Sequence, residues 1–322
     1  MTWIAAFRSH EDDCRRAPSA HNTQPWALRY TDDAVDVHWD PSRALPDSDP
    51  TRRDLFLSLG AFIETCLVVA ASAGLPVRAD IAVDHSSQRA ARLLPSPSVY
   101  DTPFTLTSVQ QRRCARGGYA PGTLDPAVLA ALTALGADLR QVPTRTLVAP
   151  LAAADRWMFG TPEVVGELRA WMRLSPKHPR YQLDGLTDQA MALSRIEATG
   201  LAAMIGPRAY PLTRRLGGPA LLAAASKGLL RYDGSVLILV GSAVTPESVI
   251  EHGRALVRVW LALSERGLNV HPLSQLLDCA ATAGQLTEKL DLAPDESPLA
   301  VFRTGRPLKE PIRSARIPAS QV

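Results

Sequence analysis

The sequence predicts an α+β fold, in which helices pack against small and mainly antiparallel sheets. Two observations support this prediction. Residues 26–39 hold two alternating apolar runs separated by Asp32-Asp33, which is the pattern of a β-hairpin. Segments 54–73 and 246–266 carry apolar residues at helical spacing, and a glycine follows each of them. No Gly-x-Gly-x-x-Gly motif follows a predicted strand, so a Rossmann dinucleotide fold is not indicated.

The remaining elements follow from local patterns along the chain. Asp54 is expected to cap the helix that runs to Ala73. The helix at 246–266 is expected to bury one face, made of Ile250, Ala255, Leu256, Val259, Trp260 and Leu263. Further helices are predicted at 3–16, 126–135, 153–171, 189–204 and 284–290. Further strands are predicted at 77–83, 235–241, 268–270 and 299–304, and loops at 40–51 and 176–187.

The two parts of the chain repeat one plan: a helix, a loop, a hairpin, a long apolar helix ended by glycine, and a strand. Residues 66–74 align with residues 259–267 as equivalent helix ends. A stretch rich in Pro, Ser and Thr at 95–107 marks the candidate boundary. We therefore predict a tandem duplication, with a first half at 1–105, a second half at 106–322, and a lid insertion at about 172–230.

Composition excludes several classes of function. The chain has 322 residues, 46% of them hydrophobic, and its net charge of +3 does not indicate nucleic-acid binding. Its four cysteines form no Cys-x-x-Cys pair, so neither a metal site nor a redox pair is expected. The charged N-terminal segment lacks an apolar signal core, and the apolar stretches 55–75 and 220–230 are interrupted by polar residues. We expect a cytoplasmic protein without a membrane span.

The most informative segment is 17–26, Ala-Pro-Ser-Ala-His-Asn-Thr-Gln-Pro-Trp. Pro18 and Pro25 stiffen its two ends. Between them every residue except Ala20 offers hydrogen-bonding groups, and Trp26 adds an aromatic face. A rigid polar segment of this kind suits a flat heteroaromatic ligand. The alternative is a plain turn and helix start, with a serine or asparagine as N-cap.

Three further groups of residues could carry chemistry. Arg112, Arg113 and Arg116 stand just before two glycines and could bind a phosphate, although a solvated basic turn is the alternative. His271, in the loop 267–275, could either pack or supply a proton. The tail carries several arginines: Arg303 and Arg306 are the candidates for an anion site, whereas Arg316 is expected in a disordered terminus.

The segment at 18–26 resembles the Pro-Ser-x-x-Asn-x-Gln-Pro-Trp signature of FMN-dependent nitroreductases. Six positions agree: Pro18, Ser19, Asn22, Gln24, Pro25 and Trp26. In that family the segment reaches across a dimer interface to the flavin of the partner subunit. The arginine run is similar to the family's Arg-x-Ser-x-Arg/Lys run, which holds the FMN phosphate. The resemblance gives these roles to Arg112, Cys114 and Arg116, with cysteine where serine is usual.

The layout also resembles the Acg-type subgroup, in which one duplicated chain mimics the dimer. This resemblance implies a nitroreductase-like fold, an intramolecular pseudo-dimer, and a single FMN clamped between the halves. It implies that a small-residue loop after the long helix lies against the flavin, with His271 as the catalytic candidate. The cofactor-binding residues would be Ser19, Asn22, Gln24, Trp26, Arg112, Cys114, Arg116, His271, Pro272, Leu273, Ser274, Arg303 and Arg306.

The function that this resemblance implies is an FMN-dependent oxidoreductase. It would move hydride or electrons from NAD(P)H or a small organic donor to a nitro compound, a quinone or a biosynthetic intermediate. Two alternatives remain open: an FMN-binding storage or sequestration protein, and a flavin-dependent dehydrogenase or oxidase that tailors a natural product. The expected partners are small molecules, with neither nucleic acid nor membrane, in a monomeric pseudo-dimer or a homodimer.

Overall fold

Two four-stranded antiparallel sheets organise the fold. The computed structural model describes residues 2–242 and 244–321. The strands of the first sheet are β1 (Trp26–Tyr30), β2 (Val35–Trp39), β3 (Val77–Asp84) and β4 (Arg89–Pro95), in the order β1-β2-β4-β3. A parallel two-stranded pair consists of β6 (Met172–Arg173) and β7 (Leu186–Thr187). The second sheet contains β5 (Asp138–Pro143), β8 (Ser235–Ser242), β9 (Asn269–Pro272) and β10 (Glu296–Gly305), in the order β5-β8-β10-β9.

The two sheets have matching strand orders, and in each a long helix joins the second strand to the third. The helices before the second sheet are α1 (Trp3–Arg8), α2 (Glu11–Cys14), α3 (Arg53–Ser72), α4 (Leu106–Gln111) and α5 (Pro126–Thr133). Those between β5 and β8 are α6 (Val148–Gly160), α7 (Pro162–Trp171), α8 (Arg195–Met204), α9 (Tyr210–Arg215) and α10 (Gly218–Ser226). The remaining helices are α11 (Pro246–Glu265), α12 (Gln275–Asp278) and α13 (Ala280–Lys289).

The long helices α3 and α11 pack directly against each other in the centre of the molecule. Gly60 and Gly253 each occupy the eighth position of a twenty-residue helix. A Cβ atom on Gly60 would overlap the carbonyl of Ile250, and a Cβ atom on Gly253 would overlap the carbonyl of Leu57. The two backbones therefore approach at a distance that only glycine allows at both positions.

A buried carboxylate adds a polar contact to this apolar interface. Glu64 of α3 is fully buried and accepts a hydrogen bond from Nε of Arg254 at 2.9 Å. Arg258 lies 3.2 Å from the same carboxylate, and the hydroxyl of Tyr100 donates to it at 2.8 Å. Because a buried carboxylate needs such partners, the pairing fixes how α3 and α11 sit against each other.

Most long periodic elements are confirmed, with shifts at their ends. The hairpin at 26–39 and the strands at 77–83 and 235–241 form as predicted. The helices at 54–73 and 246–266 also form, and the predicted apolar face of α11 is buried. The glycines that follow these two helices have φ values of +69° and +70°. These are the left-handed conformations that end a helix.

Several local predictions are wrong. Asp54 is not a cap, because Arg52 holds the N-cap position with a φ of +60°. The helix predicted at 153–171 is two helices, since Pro162 begins α7 where the chain turns at Thr161. The helix predicted at 189–204 forms only from Arg195. The elements β4, β5 and α9 were not anticipated, because short, mixed segments carry little periodic signal.

Within the described residues, α3 is the one helix that passes a length and hydropathy test for a membrane span. The most apolar stretch of α3 has a mean hydropathy of 2.0, and 89% of that stretch is buried inside the protein. The burial is what a core helix requires, because the segment is covered by α11 and by the first sheet.

Candidate functional site

A cavity of about 260 Å³ brings together residues that are distant in the sequence. Its walls come from the segment 16–22, the first turns of α3, the arginine run at 109–116, the stretch 271–278 and the tail at 313–316. Eight of the predicted site residues line it: Ser19, Asn22, Arg112, Cys114, Arg116, His271, Pro272 and Ser274. Five do not: Gln24, Trp26, Leu273, Arg303 and Arg306.

Gln24 and Trp26 lie behind the cavity wall, where they support it. The side-chain amide of Gln24 donates to the carbonyl of Leu183 at 2.8 Å, and its Oε1 accepts from the backbone of Ile317 at 2.9 Å. Trp26 stacks on Phe62 with the two ring centroids 4.6 Å apart. The signature segment is therefore tied to the core and to the C-terminal tail.

Leu273 and Arg306 also lie away from the cavity. Leu273 is fully buried in the apolar cluster beneath the second sheet, and its amide donates to Val301 at 2.7 Å. Arg306 is exposed, and its carbonyl accepts from the amide of Ala120. Leu273 therefore packs in the core, and Arg306 contributes a backbone hydrogen bond.

Arg303 is buried and uses its guanidinium to support the loops around the cavity. Its Nη1 donates to the carbonyl of Leu229 at 2.6 Å, and its Nη2 donates to the carbonyl of Gly117 at 2.6 Å. Its Nε donates to Nδ1 of His271 at 3.0 Å, and the guanidinium lies over the ring of Tyr119. The structure thus gives Arg303 protein partners in place of an open phosphate contact.

The tail supplies the arginine that the sequence assigned to a disordered terminus, and that prediction is wrong. Arg316 donates from Nη1 to Oδ1 of Asn22 at 2.8 Å and from Nη2 to the carbonyl of Ala17 at 2.9 Å. Arg112 donates from Nη2 to the carbonyl of Arg16 at 3.0 Å. The sequence reasoning missed Arg16, Arg313 and Arg316 as site residues, although the pair Arg15-Arg16 directly precedes the signature segment.

Several of the cavity arginines lack an acidic partner in the described part of the chain, whereas Nε of Arg16 lies 3.6 Å from Oδ1 of Asp13. Among the described residues, no carboxylate lies within ion-pair distance of Arg112, Arg116, Arg313 or Arg316. The Nε groups of Arg16 and Arg316 are enclosed and have no hydrogen-bond partner. Burial, followed by the positive charge of Arg112, lowers the pKa of Arg316 to about 9. Guanidinium groups that lack a carboxylate partner favour an anionic ligand.

His271 faces the cavity as a neutral ring. Burial first, and then the positive charges of Arg303 and Arg116, hold its pKa well below the ordinary value. Because an arginine Nε always donates, Nδ1 of His271 is the acceptor and Nε2 carries the proton. The residue can donate a hydrogen bond from Nε2, but its surroundings oppose an imidazolium.

His21 lies in the signature segment and lines the cavity, but it is not among the site residues predicted from the sequence. It has a φ of +46°, and Asn22 and Gln24 follow with φ values of +54° and +53°. Left-handed backbone at three non-glycine residues this close together is costly, and it is found most often at functional sites. Nδ1 of His21 is enclosed without a partner, and burial lowers the pKa of the ring to about 4, against the opposing effect of Asp54.

A second charged group of the cavity lining contains acidic side chains. Arg53 donates to Asp54 at 2.8 Å and to Asp278 at 2.7 Å, and these three side chains line the cavity. Asp49 lies behind them with one oxygen enclosed and unpartnered. Burial first, and then the charge of Asp54, raise the pKa of Asp49 to about 7 and that of Asp278 well above its ordinary value. Burial, with one arginine for three carboxylates, therefore opposes the charged form of Asp49 and Asp278.

These features define an α+β protein with a cavity lined by several arginines. No family model matches the chain. A Mycobacterium tuberculosis protein provisionally named NAD(P)H nitroreductase Rv3131 is 28% identical over 281 residues, covering 83% of this chain and 75% of its own. PigM of Serratia sp., named in the same provisional way, is 26% identical over 316 residues, covering 90% of this chain and 86% of its own. These relatives confirm the resemblance to the nitroreductase family.

Solved structures of nitroreductases also align with the chain. An FMN-bound nitroreductase of Bacteroides fragilis aligns with a TM-score of 0.38 at 12% identity, covering 67% of this chain and 96% of that one. NfnB of Mycobacterium smegmatis in complex with NADPH gives 0.36 at 16% identity, covering 62% and 86%. Because both scores are low, the α+β assignment depends on the sheets and helices described above, and the family resemblance depends on the sequence relatives.

Proposed function

We propose that the protein is an FMN-dependent oxidoreductase of nitroreductase type that holds one flavin in the cavity. The observation that carries the proposal is the convergence of Arg112, Arg116 and Arg316 beside the signature segment, with no carboxylate partner for any of them among the described residues. A phosphate monoester has about −1.5 to −2 charges at neutral pH and accepts several hydrogen bonds. The donor set of this site fits such a group in charge and in number.

Arg112, Arg116 and Arg316 would hold the phosphate, with Arg16 and Arg313 adding positive potential. Each hydrogen bond to a charged group contributes about 1.5–3 kcal/mol. Three of them, together with ring burial, exceed the roughly 8 kcal/mol that micromolar binding requires. This assignment keeps Arg112 and Arg116 from the sequence-based set. Arg316 takes the place of Arg303 and Arg306.

The flavin ring would lie against Ser19, Cys114, His271, Pro272 and Ser274. When bound, FMN supplies hydride and electron transfer, which no side chain provides. Nε2 of His271 would offer a fixed hydrogen-bond donor to the ring or to its substrate. Sγ of Cys114, 3.6 Å from Nη1 of Arg112, is a weaker partner than the serine usual in the family.

We infer that the chain is a tandem pseudo-dimer with halves at 1–105 and 106–322. The matching strand orders of the two sheets and the equivalent glycines of α3 and α11 support this inference. Residues 172–230 would then serve as a lid, since Leu186, Met191 and Leu201 of that segment line the cavity. One chain would thus build a flavin site for which the family ordinarily needs two subunits.

The names of the relatives support NAD(P)H as the electron donor and a nitro compound as the acceptor. The enzyme would alternate between donor and acceptor, while the lid excludes water from the cavity.

The test is flavin content. Purified protein reconstituted with FMN is expected to retain about one flavin per chain in its absorption spectrum, and NAD(P)H is expected to bleach it. The double variant Arg112→Ala/Arg116→Ala is expected to lose the flavin. The matched control is Arg145→Ala, an exposed arginine paired with Asp233 outside the cavity. A yellow double variant would refute the site, and a bound flavin that NAD(P)H does not reduce would favour storage over turnover.

A further inference from the structure

One arm of the cavity has a different chemistry from the rest. The apolar arm is lined by side chains from α6, α7, β6, β7, α8 and the turn before α8. Each of them is uncharged and mainly apolar: Trp157, Met158, Phe159, Val164, Leu168, Met172, Leu186, Met191 and Leu201. None of them comes from the sequence-based set of site residues.

Every charged side chain of the cavity lies on other segments. The charged lining residues are Arg16, Arg53, Asp54, Arg112, Arg113, Arg116, Asp278, Arg313 and Arg316. The uncharged side chains are contiguous, because one apolar cluster contains Leu168 and Met172 with Met158, Phe159 and Leu201 packed against them. The charged region suits the phosphate of the proposed cofactor, which leaves the apolar arm to a second molecule.

Methionine is concentrated in the apolar arm. The chain has five methionines, and Met158, Met172 and Met191 line this one compartment. Methionine is unbranched and polarizable, so it adapts to apolar ligands of different outline and makes favourable contacts with aromatic rings. The lining thus favours flat, apolar molecules without demanding one shape.

His21 stands where the apolar arm meets the charged region. The turn at 20–22 packs against both α3 and α7, and His21 is influenced by the charges of Asp54 and Arg116. Its ring makes no hydrogen bond within the described part of the chain, and Nδ1 is enclosed. A neutral imidazole held in a strained backbone at this junction can make one polar contact to a molecule bound in the arm.

We propose that the apolar arm binds a neutral, flat, hydrophobic acceptor, that it rejects anionic analogues, and that His21 makes the polar contact to the bound acceptor. This inference rests on the proposed function, because it names the substrate class of the same site. The physical reason is desolvation. A carboxylate placed in the arm would lose its hydration without gaining a cation, whereas a methyl group loses nothing.

The experiment uses two flat probes that differ in charge, 4-nitrotoluene and 4-nitrobenzoate, with neutral 4-nitrobenzamide as the size control for the carboxylate. They are titrated calorimetrically into the full chain in phosphate buffer, with and without FMN. We expect 4-nitrotoluene to bind at least about tenfold more tightly than 4-nitrobenzoate. Leu201→Lys, a partly buried position of the arm, is expected to reverse or erase this preference. Leu212→Lys is the matched control, because Leu212 is exposed on α9 and does not line the cavity.

His21→Asn completes the test, since asparagine tolerates left-handed backbone and the fold should be kept. It is expected to weaken 4-nitrotoluene binding about three- to tenfold without changing the flavin content or the unfolding midpoint. Equal affinity for the two probes in the wild type would overturn the apolar arm, and unchanged binding in His21→Asn would overturn the role of His21. Loss of flavin from the wild type would instead count against the proposed function, because the titrations without FMN test the arm independently.

Discussion

Arg316, near the end of the chain, donates from Nη1 to Oδ1 of Asn22 at 2.8 Å. The amide of Asn22 donates in turn to the carbonyls of Gly185 and Ala315 at 3.2 and 3.1 Å. One asparagine of the signature segment thus joins the tail, the loop before β7 and the arginine cluster. The segment resembles a ligand-binding motif, and in this chain its asparagine also assembles the cavity.

The first prediction concerns this junction. Asn22→Gly keeps the left-handed φ but removes three hydrogen bonds, so we expect the free energy of unfolding to fall by about 1–3 kcal/mol. Asn22→Asp keeps the acceptor for Arg316, so it should lower the free energy of unfolding by less than Asn22→Gly does. Urea unfolding of both variants, and of each combined with Arg316→Ala, measures the coupling. Additive effects of Asn22→Gly and Arg316→Ala would show that the contact is not used.

The second prediction concerns pH. The pKa values of His21 and His271 are both lowered in the folded protein, that of His21 to about 4. In the unfolded chain both rings have a pKa of about 6.5. Below that pH the folded state therefore binds fewer protons than the unfolded state. Stability from these rings is fully present above pH 6.5 and is lost as the pH falls, at up to about 1.4 kcal/mol per pH unit for each ring.

Urea unfolding between pH 4.5 and 7.5 measures this slope, which should become shallower in His21→Asn and in His271→Asn. Imidazole NMR signals provide a direct readout: they should show a neutral His21 ring down to about pH 5 and a neutral His271 ring, protonated at Nε2, below its ordinary pKa. Titration of either ring near 6.5 in the folded protein would contradict the burial seen here.

The third prediction concerns a three-arginine hub beside the cavity. Asp184 is fully buried and accepts from Arg43 at 2.9 Å, from Arg173 at 2.9 Å and from Arg180 at 2.8 Å. Burial alone would raise its pKa, but these hydrogen bonds outweigh burial and lower it. Stability from the hub is therefore present above the unfolded pKa of about 3.9 and is lost only in more acidic solution.

At neutral pH, Asp184→Asn is expected to cost about 3 kcal/mol, because it leaves buried guanidinium groups without a counter-charge. It should also make residues 172–230 the first site of limited proteolysis. The control is Asp233→Asn, an exposed carboxylate paired with Arg145, which should cost under about 1 kcal/mol. If Asp184→Asn and Asp233→Asn lower the free energy of unfolding equally, Asp184 does not hold the proposed lid in place.

The fourth prediction concerns the helix crossing. Gly60→Ala and Gly253→Ala should each destabilise the protein by about 1–3 kcal/mol or more, because the added methyl group meets the backbone of the opposite helix. Gly200→Ala in α8 meets nothing within 4 Å and should be neutral or stabilising by about 0.5–1 kcal/mol. Thermal unfolding of the three variants measures these changes in stability. A neutral Gly60→Ala would mean that α3 and α11 can separate.

Much of the fold could be predicted because its longest elements carry strong periodic patterns. The helices α3 and α11 and the buried strand β8 were identified within a few residues of their bounds. Their apolar spacing and closing glycines are local features that do not depend on the rest of the chain. The elements β4 and β5 were missed because they are short and mixed in composition, and only pairing with their neighbours makes them strands.

The sequence by itself determined the α+β class, the two long helices, the signature segment at 18–26 and the arginine run that lines part of the cavity. Each of these depends on residues close together in the chain. Only the tertiary structure decided which arginines converge, and it selected Arg16 and Arg316 while binding Arg303 to backbone carbonyls and to His271. It also decided that an uncharged arm adjoins the arginines. The physical reason is that a guanidinium takes the nearest acceptors, and which acceptors are near depends on how distant segments pack.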